Sequence, residues 1–593
     1  MTETAFPISD LRRRKLHTSL TFASLTACVA ATLFLLLFSD QVSFMIRSSS
    51  QRALTAGLLT TFNQFLFFMG ILVFAVGAIM VAFIVFLFLK QRTRDFGLIR
   101  ATGCPTGLIF GYFFTELLII TFAACIFGTA LGIAADYVLI NLSSFQSVLK
   151  QPNFWYIPLV FMSFFVFALV FGAKPLFDTS HSAPVELLSE TRQFGLTAVN
   201  KFKVLPKRRL TVNLATINLF RCQSTTLRVV VCLSIVFTLL TVSIAGSVIA
   251  HDTTTSWVTN AAGKDVFMIA HRDLSQQYLT LIGRFSGLTR QQENFNFLDT
   301  KFAINAALLE ALTSLPYVTV VDPRLVTLGV VKEVSSYTFD PQTLATMQVG
   351  DHRQNEALIV GVDPQRVSAN WRVDGRFLGN NVAFEAVVGD SIAQSMYSPN
   401  STAKVERADP LSEGVLVQDT AFDIVGVCID PVNNGFVVYV PLERLSSLTG
   451  FPSPNILFVA VDPTVDTSRA FSDMEEALSK VNADPTIVNL NDAVQGNVDF
   501  LGSLWTVVIF IPLFCLAAAV FGLVAFWLLS MEEQRKDYAV LRAVGVKPRQ
   551  LMCLLGFQSL ILLLSSFIVG LSLGTIITLF ILMQKPVVSI FTP

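Results

Sequence analysis

A ten-residue stretch occurs twice in this chain, and the repeat limits the fold more than any local pattern does. Arg94-Asp95-Phe96-Gly97-Leu98-Ile99-Arg100-Ala101-Thr102-Gly103 returns as Lys536-Asp537-Tyr538-Ala539-Val540-Leu541-Arg542-Ala543-Val544-Gly545, offset by 442 residues (536 − 94). The register persists downstream without a gap. Glu116 falls on Gln558, Gly128 on Gly570 and Gly132 on Gly574. A chain that repeats at fixed spacing must accommodate the same structural unit twice. Both copies lie between long apolar runs and carry basic charge, so each reads as a short amphipathic helix on the cytoplasmic face.

With 53% hydrophobic and 14% charged residues among 593, the chain is too apolar for a soluble protein, and the composition indicates an α-helical polytopic membrane protein. The formal net charge is zero, which gives no basis for a nucleic-acid partner. Of the eight cysteines, only Cys428 falls in the large polar region, so that region holds no internal disulfide. The five histidines are scattered, and no metal site is expected.

Seven apolar runs are long enough to cross a bilayer: about 18–39, 64–89, 108–140, 153–177, 229–250, 500–530 and 551–583. Arg12-Arg13-Arg14-Lys15 precedes the first run, which is longer than a secretory h-region and lacks a convincing cleavage site. The first run therefore reads as a retained span. The basic clusters at 1–17, 90–106, 175–228 and 531–550 all fall on one side if each run crosses once, placing the N-terminus in the cytoplasm and 251–497 outside. The expected organisation is a first half over 1–178 with its short helix at about 92–104, and a basic linker over 179–228. A fifth span over 229–250 and an outer α+β domain over 251–497 follow, then a second half over 498–593 with its short helix at about 534–546. By the 442-residue offset, the second half lacks a counterpart of the fourth span. The count is seven, or eight if the chain continues, and with seven Pro593 lies outside.

Within the outer region, Asp265–Ala270 and Tyr317–Val321 read as strands and about 300–314 as a helix. Segments 272–299 and 325–356 are less patterned and read as insertions or a second subdomain. Several short runs carry a family likeness. Ala357–Asp363 ends in Gly-Val-Asp, and Gly375-Arg376-Phe377-Leu378 follows it. Phe422–Val427 and Val438-Tyr439-Val440-Pro441-Leu442 come next. Nearer the membrane, Pro184-Val185-Glu186-Leu187-Leu188 and Leu214–Arg221 flank the basic linker, which includes Lys201, Lys203, Lys207, Arg208 and Arg209. Taken in this order with the repeat, the chain resembles the FtsX-like permeases of MacB-type (type VII) ABC transporters. The resemblance implies two FtsX-like halves and one MacB-like outer core domain.

That resemblance gives the repeated helices a role, docking on a cytoplasmic MacB/LolD-type ABC ATPase, with two copies for two helices. Arg94, Asp95 and Arg100, with Lys536, Asp537 and Arg542, would pair with the ATPase. Gly97 and Ala539 would lie on the contact face, and Gly103 and Gly545 would end the helices. Gly128, Gly132, Gly570 and Gly574 have the small-xxx-small spacing of close helix packing. Glu116, with Gln558 in the second copy, is an intramembrane polar position that needs a partner. It reads as a hydrogen-bonding cap in preference to a proton relay, because the copy is an amide. No Gly-x-x-x-x-Gly-Lys-Ser/Thr occurs, so ATP and magnesium would be bound by the partner and no cofactor or catalytic residue is expected here. The Asn400-Ser401-Thr402 sequon reads as chance. The expected function is a permease subunit that turns ATP hydrolysis into motion of the outer domain, expelling or extracting a lipid, lipoprotein, peptide or drug. The alternative is a transmembrane coupler that regulates an outer enzyme or sensor through an outer protein partner.

Overall fold

The computed structural model describes residues 15–48, 54–142, 155–181, 214–217, 219, 223–286, 295–334, 336–340, 345–349, 354–396, 414–480, 485–533 and 535–583. The run Arg12–Arg14, the Pro184–Leu188 segment, the linker lysines and arginines, the sequon and Lys585–Pro593 lie outside the described residues. The chain divides into two compact units. One comprises Met1–Val42, Leu66–Ser247 and Val507–Ile581; the other comprises Ser43–Phe65, Val248–Thr506 and Leu582–Pro593.

The first unit is helical. Six of the described helices contain segments long and apolar enough to cross a membrane: Thr18–Phe38, Ala56–Leu89, Thr106–Val138, Tyr156–Asp178, Thr226–Ala262 and Pro548–Phe580. The seventh expected span, about 500–530, lies inside one 44-residue helix, Leu490–Glu533, in which Cys515–Leu528 forms a shorter apolar stretch. Several helices overrun the ends that hydropathy suggests. Lys15–Ser48 and Ala56–Gln91 run past the facing ends of the apolar runs 18–39 and 64–89, and Gln223–Ala262 continues through His251, Asp252 and three threonines. Polar side chains end an apolar run without ending a helix. Helix propensity is carried by the backbone and is only modestly reduced by such residues.

Packing extends the repeat beyond what sequence comparison detects. A Cβ on Gly128 would lie 2.7 Å from Val29 Cβ and 2.9 Å from the Thr26 carbonyl oxygen. A Cβ on Gly570 would lie 2.5 Å from Phe237 Cβ and 2.6 Å from the Ser234 carbonyl oxygen. Gly132 likewise faces Ala30 and Leu33, and Gly574 faces Thr238 and Thr241. Each partner in the second half follows its counterpart by 208 residues (234 − 26). Helix Gln223–Ala262 is thus the structural equivalent of Lys15–Ser48. The two offsets differ by 234 residues (442 − 208), the extra length that the second half carries between its first two helices. Close backbone approach at small residues is what allows membrane helices to gain dispersion energy and interhelical hydrogen bonds. Ser243 Oγ donates to the Val508 carbonyl at 2.8 Å in the same bundle.

The second unit is α+β. Its strands are β1 (Val266–His271), β2 (Val318–Val334), β3 (Ser336–Asp340), β4 (Ala345–Val349), β5 (Gln354–Val362) and β6 (Arg372–Gly375). They continue with β7 (Glu385–Gly389), β8 (Gly414–Val417), β9 (Thr420–Ile429), β10 (Val437–Pro441), β11 (Ile456–Val461) and β12 (Pro485–Asn489). The main sheet runs β12-β1-β11-β2-β5-β10-β7-β9-β6, with β8 bridging β2 and β9, and β3–β4 forms a separate hairpin. Because β8 joins β2 to β9, the strands β2, β5, β10, β7, β9 and β8 close into a ring of pairings, which removes free edges. At the other end, Phe267, Ile269, Leu457 and Val459 bury against Leu308 and Leu312 of helix Ala306–Thr313 and Met474 and Leu478 of helix Thr467–Lys480.

The segments expected as insertions divide: parts of them join the main sheet or pack on it, while β3 and β4 form a sheet of their own. Residues 325–334 are the second half of the 17-residue strand β2, which pairs with β5 and β8. Residues 272–283 form a helix with Leu274, Tyr278, Leu281 and Ile282 buried. The expected helix over 300–314 is a 3-10 turn, Thr300–Phe302, followed by Ala306–Thr313, whose first turn is capped by Asn305 Oδ1 on the Ala307 N–H at 3.2 Å.

Candidate functional site

The repeated stretches form the short helices Thr93–Ala101 and Arg535–Ala543. After each one the chain turns at a glycine of positive φ, 89° at Gly103 and 99° at Gly545. The Gly103 N–H donates to the Arg100 carbonyl and the Gly545 N–H to the Arg542 carbonyl, both at 3.0 Å. Only glycine takes this left-handed conformation without a Cβ clash, and both sites have open space around them.

The inward face of the first short helix is held by Phe96, which stacks on Phe113 with ring centroids 3.9 Å apart. Just ahead of it, Arg92 forms an ion pair with Glu116 on helix Thr106–Leu142. The two side chains are 3% and 0% exposed, and Arg92 also lies 3.7 Å from Asp95 and 5.7 Å from the Phe88 ring centroid. Glu116 therefore has the partner its position demands, a cation at the foot of the short helix. Sequence reasoning missed Arg92 because a basic residue there already serves the positive-inside pattern. The repeat held the missing signal: 442 residues on from Arg92 and Glu116 stand Gln534 and Gln558. Both members change from charged to amide together. Gln558 is 2% exposed, while Gln534 lies outside the described residues.

The two copies differ in other ways. Arg100 is half-buried and donates to the Ser180 carbonyl at 2.6 Å, at the end of helix Tyr156–His181, whereas Arg542 is exposed. Gly97 is buried and Ala539 exposed, so the two positions expected on the contact face differ in their surroundings in this chain by itself. The side that carries Phe96 turns inward in the first copy and takes Gly97 with it. In the second copy Tyr538, 8% exposed, packs with Leu554 and with Ala215 of the 214–217 turn. The large apolar position shared by both outward faces is Leu98, 51% exposed, with its counterpart Val540, 62% exposed. The side chains of Arg94, Lys536 and Asp537 lie outside what the structure describes, while Asp95 is partly buried.

In the second unit a separate buried polar cluster holds the sheet together. Arg324 donates through Nε and Nη2 to Asp322 Oδ2 at 3.1 and 2.7 Å and lies over the rings of Phe458 and Trp371. Asp430 Oδ2 accepts from Trp371 Nε1 at 2.6 Å and from the Tyr439 hydroxyl. Burial pushes the Asp430 carboxyl up, with the hydrogen bonds from Tyr439, Val432 and Trp371 opposing it. The cavity beside Tyr278, Arg324 and Asp430 is about 10 Å³, room for a single water and no ligand. Among the described residues no group of His, Cys, Asp or Glu is arranged to hold a metal.

Residues 67–182 and 509–593 each match the FtsX-like permease C-terminal family model. The macrolide export ATP-binding/permease protein MacB of Photorhabdus laumondii is 26% identical over 157 residues, 26% of this chain and 22% of that protein. An uncharacterised ABC transporter permease of Methanocaldococcus jannaschii is 22% identical over 211 residues, 34% of this chain and 50% of the relative. The chain thus spans half or less of the length of these curated relatives. Among solved structures, the periplasmic region of MacB from Actinobacillus actinomycetemcomitans aligns with 39% of this chain and 92% of its own, at 16% identity and a TM-score of 0.26. The extracellular domain of the ABC-type transporter YknZ from Gram-positive bacteria aligns with 38% of this chain at 10% identity and a TM-score of 0.25. The two matched segments fall in the two halves of the internal repeat, so each half is similar to the FtsX-like permeases.

Proposed function

We propose that this chain is the membrane subunit of an ABC transporter, driven by a separate ATPase that docks at both short helices. The observation carrying this reading is the equivalence of Leu98 and Val540. Each is a large apolar side chain left exposed at the same position of a repeated helix whose opposite face is anchored in the bundle. An apolar residue exposed in register twice fits a partner that presents the same pocket twice. ATP-driven movement is delivered to the foot of each half, and the outer domain carries it to a hydrophobic or amphipathic substrate. Leu98→Asp with Val540→Asp tests the docking. ATP hydrolysis by the co-assembled ATPase should lose its dependence on this chain, with membrane insertion and the unfolding midpoint unchanged. Full stimulation by the double variant would refute docking at these helices.

A further inference from the structure

Helix Ala56–Gln91 begins inside the second unit, and its first turn is not capped by its own flank alone. The Ala56 N–H donates to Ser391 Oγ at 2.9 Å and the Gly57 N–H to Asp390 Oδ2 at 2.8 Å, across more than 330 residues of sequence. Leu54, at φ 64°, donates its N–H to the Phe285 carbonyl at 3.0 Å. A Cβ on Gly57 would lie 2.7 Å from Asp390 Oδ2, so the glycine is what lets the carboxyl reach the backbone. Ser391 Oγ in turn donates to the Asn434 carbonyl at 2.5 Å, in a loop where Asn433, Asn434 and Gly435 all have positive φ.

The two oxygens of Asp390 are placed differently. Oδ2 takes the helix N–H. Oδ1 is buried beside Gly435 with no hydrogen-bond donor among the described residues, and neither polar atom of the buried Asn434 amide has a partner there. The titratable groups whose fields reach Asp390 are Asp430 and the Cys428 thiol, neither of them a cation. On the elements packed around it, Glu385 of β7 is engaged by Arg376, Tyr439 of β10 donates to Asp430, and Asp423 and Glu356 lie on β9 and β5. Arg284 donates to Asn433 Oδ1 in the same loop, and its charge also interacts with Glu356 on β5. A proton fits this arrangement without needing volume: it occupies Oδ1, the oxygen no donor serves, and removes a lone buried charge.

We propose that Asp390 is a proton-dependent clasp, which caps the first turn of helix Ala56–Gln91 and holds it more firmly when protonated than when ionised. Two effects compete. The Gly57 N–H bonds more strongly to a carboxylate, and the helix N-terminus favours negative charge. Burial opposes this, and it wins: desolvation first, with Asp430 adding to it, pushes Asp390 up to about 7 against the pull of Thr55 and the backbone N–H groups of Gly57 and Ser391. In an open state Asp390 returns to its ordinary value of 3.8. Closing therefore takes up a proton between those values. The closing equilibrium is fully favoured below the ordinary value, weakens as pH rises, and levels off above about 7.

The test is hydrogen exchange of the full chain in lipid nanodiscs, read on peptides covering residues 54–60 from pH 5 to 8.5 and corrected for intrinsic exchange. Protection should fall about tenfold per pH unit up to about pH 7 and then flatten. Asp390→Asn, whose Oδ1 still accepts from Gly57, should stay protected and lose the pH slope. Ser391→Ala should lower protection equally at every pH and keep the slope. A flat profile in the unaltered protein, or the same slope in Asp390→Asn, would overturn the clasp. No ATPase takes part, so the result stands apart from the docking reading.

Discussion

Replacing Glu116 by Gln is the sharpest single probe of how the short helix is anchored. The substitution keeps shape and leaves the Arg92 guanidinium almost fully buried without its carboxylate. Breaking a buried ion pair by removing one partner costs about 3–5 kcal/mol, because the remaining charge is desolvated and unpaired. Asp95, 3.7 Å from Arg92 but 26% exposed, returns part of that, so the lower end of the range is the expectation. Arg92→Gln should cost at least as much, since it leaves a carboxylate with 0% side-chain exposure. The double variant Arg92→Gln with Glu116→Gln copies what the second half already carries at 534 and 558. It should recover most of the loss, so with single variants at about 3 kcal/mol and the double at about 1 kcal/mol the coupling energy is about 5 kcal/mol in the double-mutant cycle. Unfolding of the purified full chain in a mild detergent, followed by tryptophan fluorescence, reads all four proteins. Single variants within about 0.5 kcal/mol of the unaltered protein, or a double variant as unstable as the worse single, would refute the anchoring argument.

The helix-packing glycines should tolerate nothing larger. Gly570→Leu should sharply lower the amount of folded chain in the membrane, whereas Gly556→Leu, with no atom within 4 Å of its Cβ site, should be close to neutral; both are read by detergent-solubilised yield and unfolding midpoint. Arg324→Met should destabilise the second unit by about 3–5 kcal/mol by leaving Asp322 buried without its cation, and a further Asp322→Asn should restore part of it, with Trp371 fluorescence as the signal.

The repeat made the short helices and their terminal glycines legible in the sequence, because left-handed turns at Gly103 and Gly545 leave a residue-type trace. The equivalence of the first helix and Gln223–Ala262 was not legible. It resides in which backbone carbonyls face Gly128 and Gly570, and side chains as different as Val29 and Phe237 serve that contact equally. Apolar runs stop short of the helix ends wherever polar residues continue a helix past its apolar part, as at His251–Thr255. The apolar pattern marks only the start of strand β2, which continues through Pro323 and charged residues, with Asp322 and Arg324 neutralising each other inside the sheet. The Arg92–Glu116 pair depended on contact across a turn of the chain, which apolar periodicity does not encode. The Asp390 cap joins positions more than 330 residues apart, and nothing local announces it.

The central claim is that one chain presents two docking helices, and native mass spectrometry of the complex purified with its ATPase in detergent tests it most directly. One permease chain with two ATPase copies is the predicted mass, falling to one chain with one ATPase when only Val540→Asp is introduced. A complex of equal numbers of the two chains from the unaltered protein would contradict the account.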